Sequence, residues 1–166
     1  MTIIAVFSGI HSSGDEIARE VASRLQCEFI SNELLEEAER AHGVPEATLA
    51  RAMTGSRTLF NRLTRDFEKS IGCVKAAIAK RLKARDLVYH GPATHLIPSE
   101  ITHVLKVAIV AENEFRLRQA IDKGGLDAEE AARQIKKADE DNARWTTLLF
   151  SKSPWDASLY DLKIPI

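Results

Sequence analysis

The chain has 166 residues, 45% of them hydrophobic, which suits one domain with a real core. Its 23 Lys and Arg nearly cancel 24 Asp and Glu, and the net charge of −1 excludes a globally basic nucleic-acid binder and an acidic disordered chain. No apolar run reaches the roughly 20 residues that span a bilayer, the apolar start lacks a basic leader, and Cys27 and Cys73 fit neither a metal pattern nor a disulfide framework. A soluble, reducing, cytoplasmic setting is expected, with no membrane partner.

Thr2–Phe7 is β-branched and apolar throughout, as in a parallel strand buried on both faces. A loop over Ser8–Ser13 leads into an amphipathic helix, Gly14–Leu25, with Ile17, Val21 and Leu25 on one face. Glu28–Ile30 reads as a second strand, Asn32–Ala41 as a helix closed by Gly43, and Pro45–Met53 as another short helix. Leu59, Phe60, Leu63, Phe67, Val74, Ile78 and Leu82 recur at helical spacing, giving one long helix or two broken near Gly72. Leu87–Tyr89 is a third strand, ended by His90-Gly91-Pro92, and Val104–Ala111 a fourth. Glu112–Asp122 is a helix closed by Gly124-Gly125. Asp127 then opens a long helix to Leu149, with Glu130 completing a capping box, and Asp161–Ile164 is a last strand. Strands alternating with helices indicate an α/β fold around a mostly parallel sheet.

Strand, then Gly9-Ile10-His11-Ser12-Ser13-Gly14, then helix is the layout of a phosphate-binding loop. Backbone N–H groups at the helix start attract phosphate, and glycine permits close approach. The spacing Gly9-x-x-x-x-Gly14 matches the first six positions of a Walker A motif, but Asp15 and Glu16 stand where Lys and Ser or Thr belong. Exchanging a cation for an anion there replaces attraction by repulsion, roughly 3 kcal/mol per charge pair at about 5 Å and an effective dielectric near 20. Ser13-Gly14-Asp15-Glu16 is also a capping box, which satisfies the helix end without a ligand.

Lys137, Asp141 and Arg144 fall within about 60° of one another on the long helix. They form either an exposed ladder of ion pairs or a pair of cations for a transferring phosphoryl group, one held by the carboxylate. Between Arg51 and Arg85 ten bases face only Asp66 and Glu68, a local excess of eight positive charges. This is a solvated helix face or the landing site of an anionic partner, nucleotide phosphates or the acidic part of a neighbouring subunit. Only Phe60 and Phe67 interleave with these bases, which argues against nucleic acid. His90, His95 and His103 cluster in sequence, but a metal site wants a carboxylate or thiol in register and only Glu100 offers one, so no metal site is read from them. No nucleophile-elbow motif supports a Ser–His–Asp hydrolase.

Several strings carry a family resemblance. They are Ser12-Ser13-Gly14 running into Glu16-Ile17-Ala18, then Gly125-Leu126, Glu129-Glu130-Ala131, Lys136-Lys137-Ala138-Asp139, Asp141-x-x-Arg144 and Trp155-Asp156-x-Ser158-x-Tyr160-Asp161-Leu162. Over nearly the whole chain these resemble the cytidylate kinase-like proteins, a divergent branch of the P-loop nucleoside-monophosphate kinases. The resemblance implies a three-layer αβα fold with a doubly wound parallel sheet of five strands. It implies a single domain over residues 1–166, with a helical insertion around 43–85 and a lid around 115–150. It further implies ATP and Mg²⁺ at Gly9, His11, Ser12, Ser13 and Gly14, and catalytic roles for Lys137, Asp141 and Arg144.

The departures are charged positions that handle nucleotide. Asp15 and Glu16 replace the loop Lys and Ser/Thr, Pro92 follows Gly91 where the family has arginine, and Ser31 and Asn32 stand where it has an acidic then a basic residue. His11 and Ser13 stand in a loop that is richer in glycine in the family. A nucleotide-binding or regulatory protein with weak or lost phosphoryl transfer is therefore expected. The alternatives are an active nucleoside-monophosphate kinase helped by bases from the 57–85 helices, and a homodimeric interaction module using the apolar stripe Phe60–Ile78.

Overall fold

The computed structural model describes residues 1–54, 65–83 and 86–166. Among these lie five strands: β1 (Ile3–Ser8), β2 (Glu28–Ile30), β3 (Leu87–His90), β4 (Val104–Val110) and β5 (Leu162–Pro165). They form one parallel sheet in the order β2-β3-β1-β4-β5. Ile3 pairs with Leu87 on one side and Val104 on the other, so the first strand is central, as its apolar sequence predicts. The helices are α1 (Gly14–Leu25), α2 (Glu33–His42), α3 (Glu46–Ala52), α4 (Arg65–Arg81), α5 (Asn113–Asp122) and α6 (Ala128–Phe150).

Alternate side chains of the central strands feed two cores. Ile3, Ala5, Leu87 and Tyr89 pack with Leu34, Leu49, Phe67, Ile71, Val74, Ile78 and the fully buried Trp145. Val6, Val88, Val107 and Ile109 pack on the other side against Ala18 and Ala22 of α1. Helices on both faces make the sheet doubly wound. The strand order reverses at β1, which has β3 on one side and β4 on the other. In such sheets the crevice at the carboxyl ends of the strands, at this switch point, is where ligands bind.

Three local expectations change. On α1 the buried stripe is Gly14, Ala18 and Ala22, whereas Leu25 is half exposed. Small residues let the helix sit close on the sheet, and Ile17 and Val21 flank that contact. α4 runs unbroken through Gly72, where an added Cβ would meet nothing, so glycine there marks an open helix face and no kink. Leu59, Phe60 and Leu63 lie outside the described residues. The described half of the Phe60–Ile78 stripe is buried in the chain's own core, with Phe67, Val74 and Ile78 at 3%, 0% and 2% exposure. Finally, Asp127 caps α6 by accepting from the Glu130 N–H at 2.8 Å, but the Glu130 carboxylate turns to Arg133 and Gln134 instead of closing the box.

Candidate phosphate-loop site

β1 delivers Gly9–Gly14 to the switch point, and α1 starts at Gly14. The loop is held in an unusual shape. His11 and Ser13 both have left-handed backbones, φ 57° and 53°, which non-glycine residues adopt at a cost of about 1–2 kcal/mol each. Such strain persists where the surroundings enforce it, and it concentrates at functional loops. Here the buried Ser12 donates its hydroxyl to the Gly9 carbonyl at 2.6 Å, closing the turn from within. Positive φ alternating with negative φ over residues 10–13 is the backbone pattern from which anion nests are built. The left-handed Ser13 makes no side-chain cap to α1, so the expected Ser13–Glu16 capping box does not form.

Three side chains from distant elements complete the loop. Arg116, in the first turn of α5, is 4% exposed. Its Nε donates to the Ile10 carbonyl at 2.9 Å, and its two Nη donate to both Asp139 carboxylate oxygens of α6 at 2.7 and 2.8 Å. Gly9 is needed beneath it, because a Cβ there would lie 2.8 Å from an Arg116 Nη. Lys123, just past α5, donates to both Glu16 carboxylate oxygens at 2.8 and 2.7 Å and holds that carboxyl below its ordinary range. On the sheet side, Ser8 Oγ and His90 Nε2 hydrogen-bond at 2.9 Å, and His90 Nδ1 lies 3.6 Å from Asp15 Oδ1. With Nδ1 turned to a carboxylate, we assign the ring proton to Nδ1, so that Nε2 accepts from the serine hydroxyl. Burial lowers the His90 pKa, partly opposed by Asp15, and the imidazole is a neutral base at neutral pH.

These residues enclose a cavity of about 410 Å³ whose walls include Ser8, the whole of Gly9–Gly14, Asp15, Glu16, His90, Gln119 and Lys123. The Gln119 side-chain oxygen is buried without a hydrogen-bond partner among the described residues, an open valence for a ligand donor. Both carboxylates that stand in the Walker positions are already matched. Asp15 accepts from Arg19 at 2.7 Å and Glu16 from Lys123, so the repulsion expected of two free acids is largely offset. The loop backbone and the two glycines fit a phosphate-bearing ligand. Mg²⁺ in such sites needs free carboxylates beside the substrate phosphates. Asp15 and Glu16 are each taken up by a cation, and no group of three or more His, Cys, Asp or Glu among the described residues is set to hold a metal, so the loop residues do not fit a resident Mg²⁺.

The structure thus gathers Gly9, His11, Ser12, Ser13 and Gly14 on one cavity, but Lys137, Asp141 and Arg144 do not line it. Arg144 donates to Asp141, half exposed, and Lys137 is exposed with no ion-pair partner among the described residues. Asp139, the α6 residue that reaches toward the loop through Arg116, lies about 140–160° around the helix from all three. Arg116 and Lys123 carry no local motif that marks them as site residues; Asp139 lies in the Lys136-Lys137-Ala138-Asp139 string and His90 at the end of the third strand, but the sequence gives neither a role at the loop. The three histidines grouped in sequence are apart: His90 meets Ser8, His95 meets the Tyr160 hydroxyl at 2.6 Å, and His103 is exposed.

A doubly wound parallel sheet with a glycine-bounded nest at its switch point defines a P-loop-type kinase fold. Among solved structures, the chain is similar to an uncharacterized protein from Eubacterium ventriosum ATCC 27560 (19% identity, TM-score 0.71, 99% of this chain and 88% of that one). It is also similar to TT1252 from Thermus thermophilus (16%, 0.53, 99% and 88%), and to a gluconokinase from Sinorhizobium meliloti 1021 (15%, 0.52, 99% and 81%). Comparison with the curated proteins gives no match. The model of the cytidylate kinase-like family matches residues 3–166, and the chain belongs to that family.

Proposed function

We propose that this is a cytoplasmic, nucleotide- or phosphate-binding member of the cytidylate kinase-like family in which phosphoryl transfer to a CMP-type acceptor is weak or lost. The observation that carries the reading is the Gly9–Gly14 nest facing a cavity with carboxylates where the transfer cation belongs. Catalysis of phosphoryl transfer is mainly positioning and charge stabilisation, so a loop without its lysine and a third strand followed by Pro92 retain binding elements while lacking transition-state cations. The loop's N–H groups and the α1 dipole hold and orient the ligand. The α5–α6 hairpin serves as the lid, tied to the loop through Arg116–Asp139 and Lys123–Glu16.

A second reading, an active kinase, is favoured by Lys123, whose ammonium stands at the cavity wall and can take the role of the missing lysine once it leaves Glu16. Within the 57–85 segment, Arg81 is less suited, since it already pairs with Glu37 and Glu28. Scanning fluorimetry against nucleoside mono-, di- and triphosphates, with and without Mg²⁺, tests the proposal, because a ligand of the native state raises its apparent stability. A saturable shift with at least one nucleotide is expected, and none with any of them refutes the reading.

A further inference from the structure

Ser8, His90 and Asp15 come from the end of the first strand, the end of the third strand and the first turn of α1, and the fold brings them together on the loop cavity. The Ser8 hydroxyl sits 2.9 Å from His90 Nε2, and the opposite ring nitrogen faces the Asp15 carboxylate at 3.6 Å. This is nucleophile, base and orienting acid in the order that activates a serine. The hydrogen bond is built in. Gly14 closes directly over it, since a Cβ at that position would overlap Ser8 Oγ and lie 3.3 Å from His90 Nε2. The glycine that the nest needs for phosphate approach is therefore also the one that leaves room for the Ser8–His90 pair. Asp15 also accepts from Arg19, which fixes the carboxylate beside the ring.

We propose that Ser8 is an activated nucleophile that takes a phosphoryl group from a nucleoside triphosphate held by the Gly9–Gly14 loop, with His90 as its general base and Asp15 as a positioning residue. The proposal rests on the reading of the loop as a nucleotide site. Ser8 Oγ forms a bond to the terminal phosphorus as the bond from that phosphorus to its bridging oxygen breaks, and the nucleoside diphosphate leaves with that electron pair. The Oγ proton passes to His90 Nε2. The resulting imidazolium is stabilised by Asp15 and returns its proton to water. The product is phosphoserine at position 8. Its two new negative charges would sit beneath the nest, where they occupy the space of a bound phosphate and close the site to further nucleotide.

The test uses the full chain with ATP and Mg²⁺, following intact mass while fluorimetry on the same samples reports binding. A mass gain of one phosphoryl unit is expected, mapped to Ser8, absent in Ser8→Ala and slowed about a hundredfold or more in His90→Gln. In Asp15→Asn the acid limb of the rate profile moves to lower pH, because the imidazolium loses its counter-charge, a shift that a purely structural role would not produce. A fluorophosphonate probe gives a second reading on wild-type protein without nucleotide: labelling of Ser8 supports the relay, and failure to label overturns it. A nucleotide-induced thermal shift with no mass gain, or with a gain that survives Ser8→Ala, overturns the acceptor role and leaves nucleotide binding intact. No thermal shift at all overturns both.

Discussion

Asp139→Asn removes the counter-charge of a guanidinium that is 4% exposed and braced against the loop carbonyl of Ile10. Breaking one partner of a buried ion pair typically costs about 3–5 kcal/mol, because the other charge is left uncompensated. Asp139 itself is 30% exposed, and asparagine keeps one acceptor oxygen, so about 2–3 kcal/mol is the expected loss. For a chain of this length that corresponds to a melting temperature lower by about 4–12 °C. Urea unfolding of wild type, Asp139→Asn, Arg116→Leu and the double variant gives the coupling. The double variant should be less destabilised than the sum of the singles, by about 1.5 kcal/mol or more, since it leaves no orphaned charge. Asp139→Asn within about 0.5 kcal/mol of wild type, or strict additivity, would refute the claim that this pair locks the lid helix to the loop.

Further predictions follow from single contacts. Gly14→Ala should destabilise by about 1–3 kcal/mol and abolish nucleotide-induced stabilisation, because its Cβ collides with Ser8 Oγ; adding Ser8→Gly should recover most of the stability in a urea titration. Lys123→Ala should change stability by less than about 1 kcal/mol, as for other exposed ion pairs, while weakening the nucleotide response, which separates a binding role from a structural one. Burial pushes the His95 imidazole down to about 4, so the folded state stays neutral while the unfolded chain takes up a proton near pH 6.5. Stability is full above that value and falls as pH drops toward 4, by about 2 kcal/mol at pH 5, and His95→Gln should flatten the curve of urea midpoint against pH. His90, also lowered by burial, acts in the same direction, so a smaller slope should remain. Asp15→Lys with Glu16→Ser should raise transfer to CMP in a coupled assay, since it restores the cation and hydroxyl that the loop lacks.

The parts of this protein legible in its sequence are those encoded locally. A strand apolar on both faces must be covered on both faces, so the side chains of Ile3–Ser8 and Val104–Val110 are enough to place these strands at the sheet centre. Glycine spacing between a strand and a helix likewise singles out Gly9–Gly14, which the fold places on one cavity at the end of β1. What completes the site is not local. Arg116 reaches Ile10 across 106 positions, Lys123 reaches Glu16 across 107, and His90 reaches Ser8 across 82. Each is an ordinary charged or polar residue in its own segment, and only the sheet order brings it to the loop. Helical spacing groups Lys137, Asp141 and Arg144 correctly on one face, yet periodicity alone does not say which face of α6 meets the loop; that is decided by Asp139 and its bond to Arg116.

The proposed function joins a loop that binds nucleotide to weak or lost phosphoryl transfer onto a CMP-type acceptor. Calorimetric titration with ATP·Mg²⁺ and a coupled assay with ATP and CMP, run on one preparation, test both halves together. A saturable binding heat is expected, with turnover well below about 1 s⁻¹, the low end for kinases. Turnover at or above that value, or the absence of any binding heat, would contradict it.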